Sequence, residues 1–301
     1  MSDDNIYTLD PKFVPHSRSL GELYKETLQE LLTPYPSIEL HGWPMLNDLL
    51  GGFRAREFTI LCGSTGAGKT TLLAHWAKAI LETRKRCFVM SVETGHTDFI
   101  KRTMSAFSGS DLNRGIGLTP DILKLFHAKY GSFFTSDGLF LSLYDNRINH
   151  RTVINEIEWH HKHKGCEVVF IDNLNFLMEV ASSDNQVQVM DTVVHDLIMY
   201  AKRTDVHIVM VMHPKKTDHG RVESEFDIKG SSTAVQEAHN VLLFNRATKK
   251  EIESAGRGTY SRELMIRKLR RRGESIGKSL WLNYSNGSYS ENSVEETKTG
   301  F

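Results

Sequence analysis

An α/β fold is what this sequence predicts: a mostly parallel sheet with helices on both faces and antiparallel strands at one edge. Three observations predict it. A glycine-rich phosphate loop sits between an apolar strand and a helix, continuous apolar runs recur along the chain, and helical stretches separate most of those runs. Runs that are apolar throughout, rather than alternating, suit parallel strands covered on both faces.

The stretch Gly63-Ser64-Thr65-Gly66-Ala67-Gly68-Lys69-Thr70 matches the phosphate-cradling pattern G-x-x-x-x-G-K-[ST] at every fixed position. Before it, Phe58–Cys62 reads as a buried strand; after it, Leu72, Leu73, Trp76 and Ile80 share one helical face. Gly63, Gly66 and Gly68 let the backbone curl so that its N–H groups converge, and the following helix aims its positive dipole end at the same point. Lys69 is expected to reach the β- and γ-phosphates of ATP or another nucleoside triphosphate, and the Thr70 hydroxyl to hold Mg²⁺. Ser64, Thr65, Ala67 and Thr71 complete the expected nucleotide-binding run.

Residues 1–18 lack periodicity and read as a flexible arm. Ser19 and Glu22 form a capping-box pattern, and Leu20, Leu23, Tyr24, Leu28, Leu31 and Leu32 trace an apolar stripe that stops at Thr33-Pro34-Tyr35-Pro36. A linker helix is therefore expected within 19–36, its stripe covered by its own domain or by a neighbouring subunit. The core is expected over 37–287. Its strands are predicted at 57–62, 87–92, 139–144, 167–172, 207–213, 240–245, 262–270 and 279–285, and its helices at 70–84, 97–107, 120–130, 150–163 and 187–203. The last strands follow closely with turn residues between them, which predicts the antiparallel edge. Residues 288–301 read as a mildly acidic tail.

At 301 residues, 40% hydrophobic and 25% charged, the chain suits one α/β domain with appendages. Lys+Arg and Asp+Glu both number 37, so any affinity for nucleic acid has to come from a local patch. Cys62, Cys87 and Cys166 stand apart with no C-x-x-C pair, as expected in a reducing compartment. No run of about 18 apolar residues occurs, and Met1-Ser2-Asp3-Asp4 is unlike a secretory or transit peptide. The expectation is a cytoplasmic protein, of a bacterial or phage-infected cell, with no membrane partner.

Further candidates sit at strand ends. Asp172 closes Val168-Val169-Phe170-Ile171 and is placed to hold the magnesium shell, the Walker B role; capping the next turn is the alternative. Glu93, after Met90-Ser91-Val92, can orient and deprotonate an attacking water, or be a solvated turn residue. His213, after Val209-Met210-Val211-Met212, can report the γ-phosphate to the loop that follows, or be structural.

That loop, 214–230, is long and polar and carries Lys215, Lys216, Arg221 and Lys229, which suit the backbone of single-stranded DNA. Residues 180–186, Val-Ala-Ser-Ser-Asp-Asn-Gln, read as a second mobile stretch after the Asp172 strand, without the lysines and arginines of the first. Neither clearly offers an aromatic platform, so phosphate contact rather than base reading is expected. Lys268 and Arg270, in Arg267-Lys268-Leu269-Arg270-Arg271-Arg272, fall on one side of a strand and suit an arginine finger reaching a neighbouring subunit's site. His160, His161 and His163 look metal-like, but no carboxylate or thiol stands at ligand spacing.

The order of Gly63–Thr70, Glu93, Ile171-Asp172-Asn173-Leu174, Val211-Met212-His213-Pro214-Lys215-Lys216, Gly230-Ser231-Ser232, Gln236–Leu242 and Lys268-Leu269-Arg270 resembles the helicase domain of DnaB-type hexameric replicative helicases, with a RecA-like P-loop NTPase core. It is most similar to the mitochondrial Twinkle-like and phage primase-helicase branch, in which His stands at the sensor position. The likeness covers roughly 18–285. It implies an ATP-dependent, ring-forming DNA helicase in which Lys69 and Thr70 hold phosphate and Mg²⁺, Glu93 is the catalytic base and Asp172 the Walker B acid. It further implies His213 as γ-phosphate sensor, Lys268 and Arg270 as trans-acting cations, 180–186 and 214–230 as channel loops, and the helix after Ser19 as a fastener between subunits.

Relatives often carry a primase domain first; with about 40 residues before the core, no priming activity is expected here. Arg271 and Arg272 leave open which arginine is the finger. The tail ending in Phe301 resembles terminal peptides that dock on a DNA polymerase or primase; an unstructured end is the alternative. A mediator ATPase that does not separate strands, and a nucleotide-gated scaffold, are the competing functions.

Overall fold

A computed structural model of the chain describes residues 17–91, 94–115, 118–143, 149–173, 186–215, 221–229, 232–255 and 261–296. The chain forms two compact units, residues 1–35 and 36–301. In the first, α1 (Leu20–Leu32) starts on the expected capping box: Ser19 Oγ accepts from the Glu22 amide at 3.2 Å and Glu22 Oε2 accepts from the Ser19 amide at 2.8 Å. None of its residues is buried.

The second unit holds a nine-stranded sheet in the order β11-β10-β9-β8-β3-β7-β6-β4-β5. Its strands are β3 (Phe58–Cys62), β4 (Cys87–Ser91), β5 (Leu139–Leu141), β6 (Val168–Asp172), β7 (His207–Met212), β8 (Asn240–Arg246), β9 (Arg262–Leu269), β10 (Lys278–Ser285) and β11 (Ser288–Glu296). Strands β8, β3, β7, β6, β4 and β5 run parallel; β9, β10 and β11 add antiparallel strands. A small hairpin of β1 (Ser37–Ile38) and β2 (Phe53–Arg54) flanks helix α2 (Pro44–Leu50). The expected strands are all present, within a residue at most ends; β5 stops early.

Helices cover both faces. On one side α3 (Lys69–Glu82) and α2 pack Leu72, Trp76, Ile80, Leu46 and Leu49 against Leu61, Val89 and Phe170. On the other, α6 (His150–Lys164) and α7 (Gln186–Arg203) pack Val153, Ile157, Val194 and Leu197 against Ile60, Phe88, Ile171 and Met210. Alternate residues of each central strand thus enter opposite cores, which is why these strands are apolar at nearly every position. Among the described residues, helices α4 (His96–Ser108), α5 (Pro120–Thr135), α8 (Ser232–Glu237) and α9 (Lys249–Ala255) also belong to the unit. The cysteines are free and buried. No helix among the described residues is long and apolar enough to cross a membrane.

One boundary is corrected. The segment 288–301, expected as a tail, contributes β11, which pairs with β10 from Ser285↔Ser288 to Lys278↔Glu296. Asn286 (φ 49°) and Gly287 (φ 79°) form the two-residue turn between them, a backbone that needs left-handed conformations and selects Asn-Gly. The Asn-Gly signal was in the sequence, but the polar, acidic composition of an edge strand hid the strand itself.

Two buried histidines hold the fold in one protonation state. His207 Nδ1 donates to the Arg54 carbonyl at 2.7 Å, Nε2 pairs with the Thr59 hydroxyl at 3.0 Å, and the ring stacks on Phe53. His75 Nδ1 donates to the Thr71 carbonyl at 2.8 Å and Nε2 accepts from the Tyr289 amide at 3.0 Å, tying β11 to α3. The contacts of His75 need a neutral ring, and burial lowers both pKa values from 6.5 to about 4. Below pH 6.5 the unfolded chain takes up protons that the folded chain refuses, so the stability these groups contribute, about 3 kcal/mol each at neutral pH, is lost as pH falls from 6.5 toward 4. Urea midpoints are expected to drop steeply across that interval. An equally steep drop in the double variant His75→Gln/His207→Gln would assign the proton uptake elsewhere.

Candidate functional site

Strand β3 ends at Cys62 and the chain turns through Gly63–Gly68 into α3. Two glycines are required by space and conformation. A Cβ on Gly63 would lie 2.3 Å from the Phe244 carbonyl oxygen, and one on Gly68, whose φ is 103°, would lie 2.3 Å from the Tyr289 hydroxyl. Two arginines, one ending β8 and one opening the antiparallel β9, hold the loop from behind. Arg246 Nε donates to the Gly66 carbonyl at 3.0 Å and the buried Arg262 Nε to the Ala67 carbonyl at 2.7 Å.

The front of the loop carries the chemistry. Lys69 Nζ donates to the carbonyls of Gly63 (2.7 Å) and Ser64 (3.0 Å). The Thr70 hydroxyl donates to Asp172 Oδ2 at 2.6 Å, and Thr71 Oγ1 accepts from Arg102 Nη1 at 2.8 Å. Because β3, β7 and β6 are neighbours, their carboxyl ends bring Lys69, His213 and Asp172 together. Asn173, next to Asp172, bonds His213 Nε2 through its amide nitrogen at 2.9 Å; an NH₂ group only donates, so Nε2 accepts and the ring proton sits on Nδ1. Lys69, Thr70, Thr71, Asp172 and His213 line one cleft of about 290 Å³ with Arg102 and Tyr289. Burial pushes the Tyr289 hydroxyl up to about 12, so it remains a neutral donor.

Glu93 lies outside the described residues; Ser91, two positions earlier, pairs in register with Asp172. Lys216 and residues 180–185 also lie outside them. The described parts of the 214–230 loop close on His213: Pro214 bridges Ile228, the Lys229 amide donates to the His213 carbonyl at 2.9 Å, and the Lys215 amide donates to the Asp227 carbonyl at 2.6 Å. Lys215 and Lys229 are exposed.

Arg221 requires a correction. It is mostly buried and ion-paired with Glu263 and, at 3.2 Å, with Glu251, so it braces β9 against α9 rather than facing DNA. Glu263, its pKa raised by burial, demands such a partner. The expectation that the loop lacks an aromatic platform is corrected too: Phe226 is 73% exposed on its 3₁₀ turn.

Lys268 Nζ donates to the carbonyls of Val235 (2.9 Å) and Gln236 (2.6 Å), and Arg270 to those of Gln236 (2.9 Å) and Glu237 (3.0 Å). Both therefore cap the carboxyl end of α8, the helix that follows the basic loop. Arg271 pairs with Glu57 at 3.3 Å and Arg272 donates to the Asp48 carbonyl. The three histidines of α6 turn elsewhere: His160 stacks on Phe88, His161 Nδ1 donates to the Cys166 carbonyl at 3.0 Å and His163 stacks on Trp159. Among the described residues no group of three or more His, Cys, Asp or Glu could hold a metal.

Sequence reading missed Arg102, Arg246, Arg262, Tyr289 and Phe226. All but Phe226 reach the cleft or its loop from positions far away in the chain, and none stands in a local pattern; Phe226 was visible inside the loop.

Comparison with known proteins gives three kinds of likeness. The family described as "DnaB-like helicase C terminal domain" matches residues 40–286. A DNA helicase/primase of Enterobacteria phage T3 is 22% identical over 259 residues, which is 81% of this chain and 45% of that protein; the chain spans about half the length of that relative. Among solved structures, one described as an ATPase domain has a TM-score of 0.74 at 17% identity, over 92% of this chain and 100% of the other. A DnaB-like replicative helicase, solved in a study of its interactions with primase, has a TM-score of 0.72 at 18% identity, over 91% and 67%. The RecA-like α/β fold expected from the sequence is the fold these structures share.

Proposed function

We propose, because this chain belongs to the DnaB-like helicase C-terminal domain family, that it is an ATP-hydrolysing motor. In this reading it assembles into a ring, a hexamer, moves along single-stranded DNA and separates duplex DNA in replication. The observation that carries the reading is the convergence of Lys69, Thr70, Asp172 and His213 on one cleft whose rim is the base of a basic loop.

Lys69 would set its charge against the β- and γ-phosphates. Thr70 and Asp172, paired at 2.6 Å, offer a hydroxyl and a carboxylate oxygen, a donor set suited to Mg²⁺. That ion, when bound, neutralises charge developing on the phosphates. Glu93, just beyond a strand that pairs with the Asp172 strand, is proposed to take the proton of the attacking water. His213 is proposed to sense the γ-phosphate. Its carbonyl accepts from the Lys229 amide, so a displacement of His213 would move the loop base that carries Lys215 and Lys229. With Lys216 and Phe226, these residues are proposed to hold the DNA backbone and stack a base.

Lys268 and Arg270 are proposed as the trans-acting cations, with Arg270 the finger. Arg271 would have to abandon buried Glu57 to play that part, whereas Arg270 would exchange helix carbonyls for phosphate oxygens. Such an exchange would uncap α8 beside the DNA-facing loop. The α1 stripe is proposed to dock on the next subunit. The proposed docking of the tail on a polymerase or primase now concerns only 297–301, outside the described residues.

A forked duplex with ATP and Mg²⁺ tests the reading. Strand separation is expected, and it should stop in an ATP analogue that cannot be hydrolysed. Brisk DNA-stimulated hydrolysis with the fork left intact would favour a mediator ATPase.

A further inference from the structure

The Trp159-His160-His161-Lys162-His163-Lys164 run has no part in the cleft. It closes α6 at the amino ends of the strands. Strands β4 and β6 pair from Cys87↔Val168 onward, so the turn Arg84-Lys85-Arg86 lies beside the end of α6. Arg86 Nη1 donates to the Lys164 carbonyl at 2.7 Å, and the Glu167 amide donates to the Arg86 carbonyl at 3.0 Å. Five cations, Arg84, Lys85, Arg86, Lys162 and Lys164, gather there against two carboxylates, Glu167 on Lys85 and Glu158 on Lys162.

Trp159 stands among them, 47% exposed. His163 stacks on its ring with centroids 5.3 Å apart, and the Lys164 ammonium lies 5.8 Å from the same ring. The phosphate loop and the 214–230 loop both leave the carboxyl ends of the sheet. This patch is therefore removed from them by the length of a strand, roughly 17 Å at about 3.3 Å per residue.

We propose that this patch is a second binding surface for single-stranded nucleic acid, with Arg84, Lys85, Lys162 and Lys164 along the phosphates and Trp159 as a platform for a base. An acidic peptide would need the cations alone; a wet, flat aromatic among them suits a base, because every base offers a π-face. The surface goes beyond the proposed motor: the strand it takes is one that the loop beside His213 does not hold.

Tryptophan emission tests it in the whole protein. Of the four tryptophans, Trp43, Trp76 and Trp281 are 5%, 0% and 4% exposed, so Trp159 is the one open to a bound base. Oligo(dT) at low salt is expected to quench the emission, with an affinity that falls as salt rises. The Trp159→Phe variant should lose the quench. The double variant Arg84→Glu/Lys162→Glu should shift the midpoint at least tenfold, while DNA-free ATP hydrolysis stays unchanged. Three results would overturn the proposal: no quench, a quench indifferent to the charge reversal, or equal quenching by polyglutamate, which would make the partner an acidic protein. Failure of fork unwinding would leave this titration intact, so the two readings fail separately.

Discussion

Replacing Lys69 with alanine is expected to lower kcat/KM for ATP hydrolysis by about 10³-fold, the cost of removing a preorganised charge from a transferring phosphoryl group. The geometry explains why one side chain should matter so much. Lys69 opens α3 directly after Gly68, and its ammonium is held over the loop by the Gly63 and Ser64 carbonyls. The charge is thus already oriented toward the cleft, and little rearrangement is needed at the moment of transfer. Alanine is a good helix former, so α3 should survive. Circular dichroism and urea unfolding would confirm that the variant is folded before turnover is read. Hydrolysis within tenfold of wild type would remove the phosphate loop from the chemistry.

Arg270→Ala is expected to lose about 10³-fold or more in turnover while nucleotide binding persists, the signature of a finger that acts on the transition state. Binding by fluorescent nucleotide and turnover by phosphate release separate the two effects. Mixing gives the sharper result. Lys69→Ala subunits retain Arg270, and Arg270→Ala subunits retain the pocket. In mixed head-to-tail rings about one seam in four would join an intact pocket to an intact finger. Activity should therefore return on mixing two inactive proteins. Mixtures as inactive as their parts would mean that Arg270 serves its own subunit, through the α8 carbonyls it already caps.

Much of the fold was legible because its signals are local. The apolar runs of β3, β4, β6 and β7 read as parallel strands, since both faces of each are buried. The capping box at Ser19 predicted where α1 begins. Thr70 and Asp172 were each legible as strand-flanking residues, but their direct hydrogen bond at 2.6 Å joins positions 102 residues apart and had no local signal. Edge elements were less legible. In β11 only Tyr289 is buried, so its pattern is that of a polar tail. Arg221 shows the same limit in reverse: a lysine- and arginine-rich loop does not reveal which cation a buried carboxylate such as Glu263 will claim.

By itself the sequence determined the phosphate loop, the alternation of strands and helices, and the identities of the strand-end residues, because each depends on neighbours within a few positions along the chain. Only the tertiary structure decided which distant groups stand behind that loop. Arg246, Arg262 and Tyr289 reach Gly66, Ala67 and Gly68 because β8, parallel to β3, and the antiparallel strands β9 to β11 continue the sheet past β3. Strand order is set by the burial of whole faces rather than by any local pattern, and contacts between residues so far apart exist only once the sheet has closed.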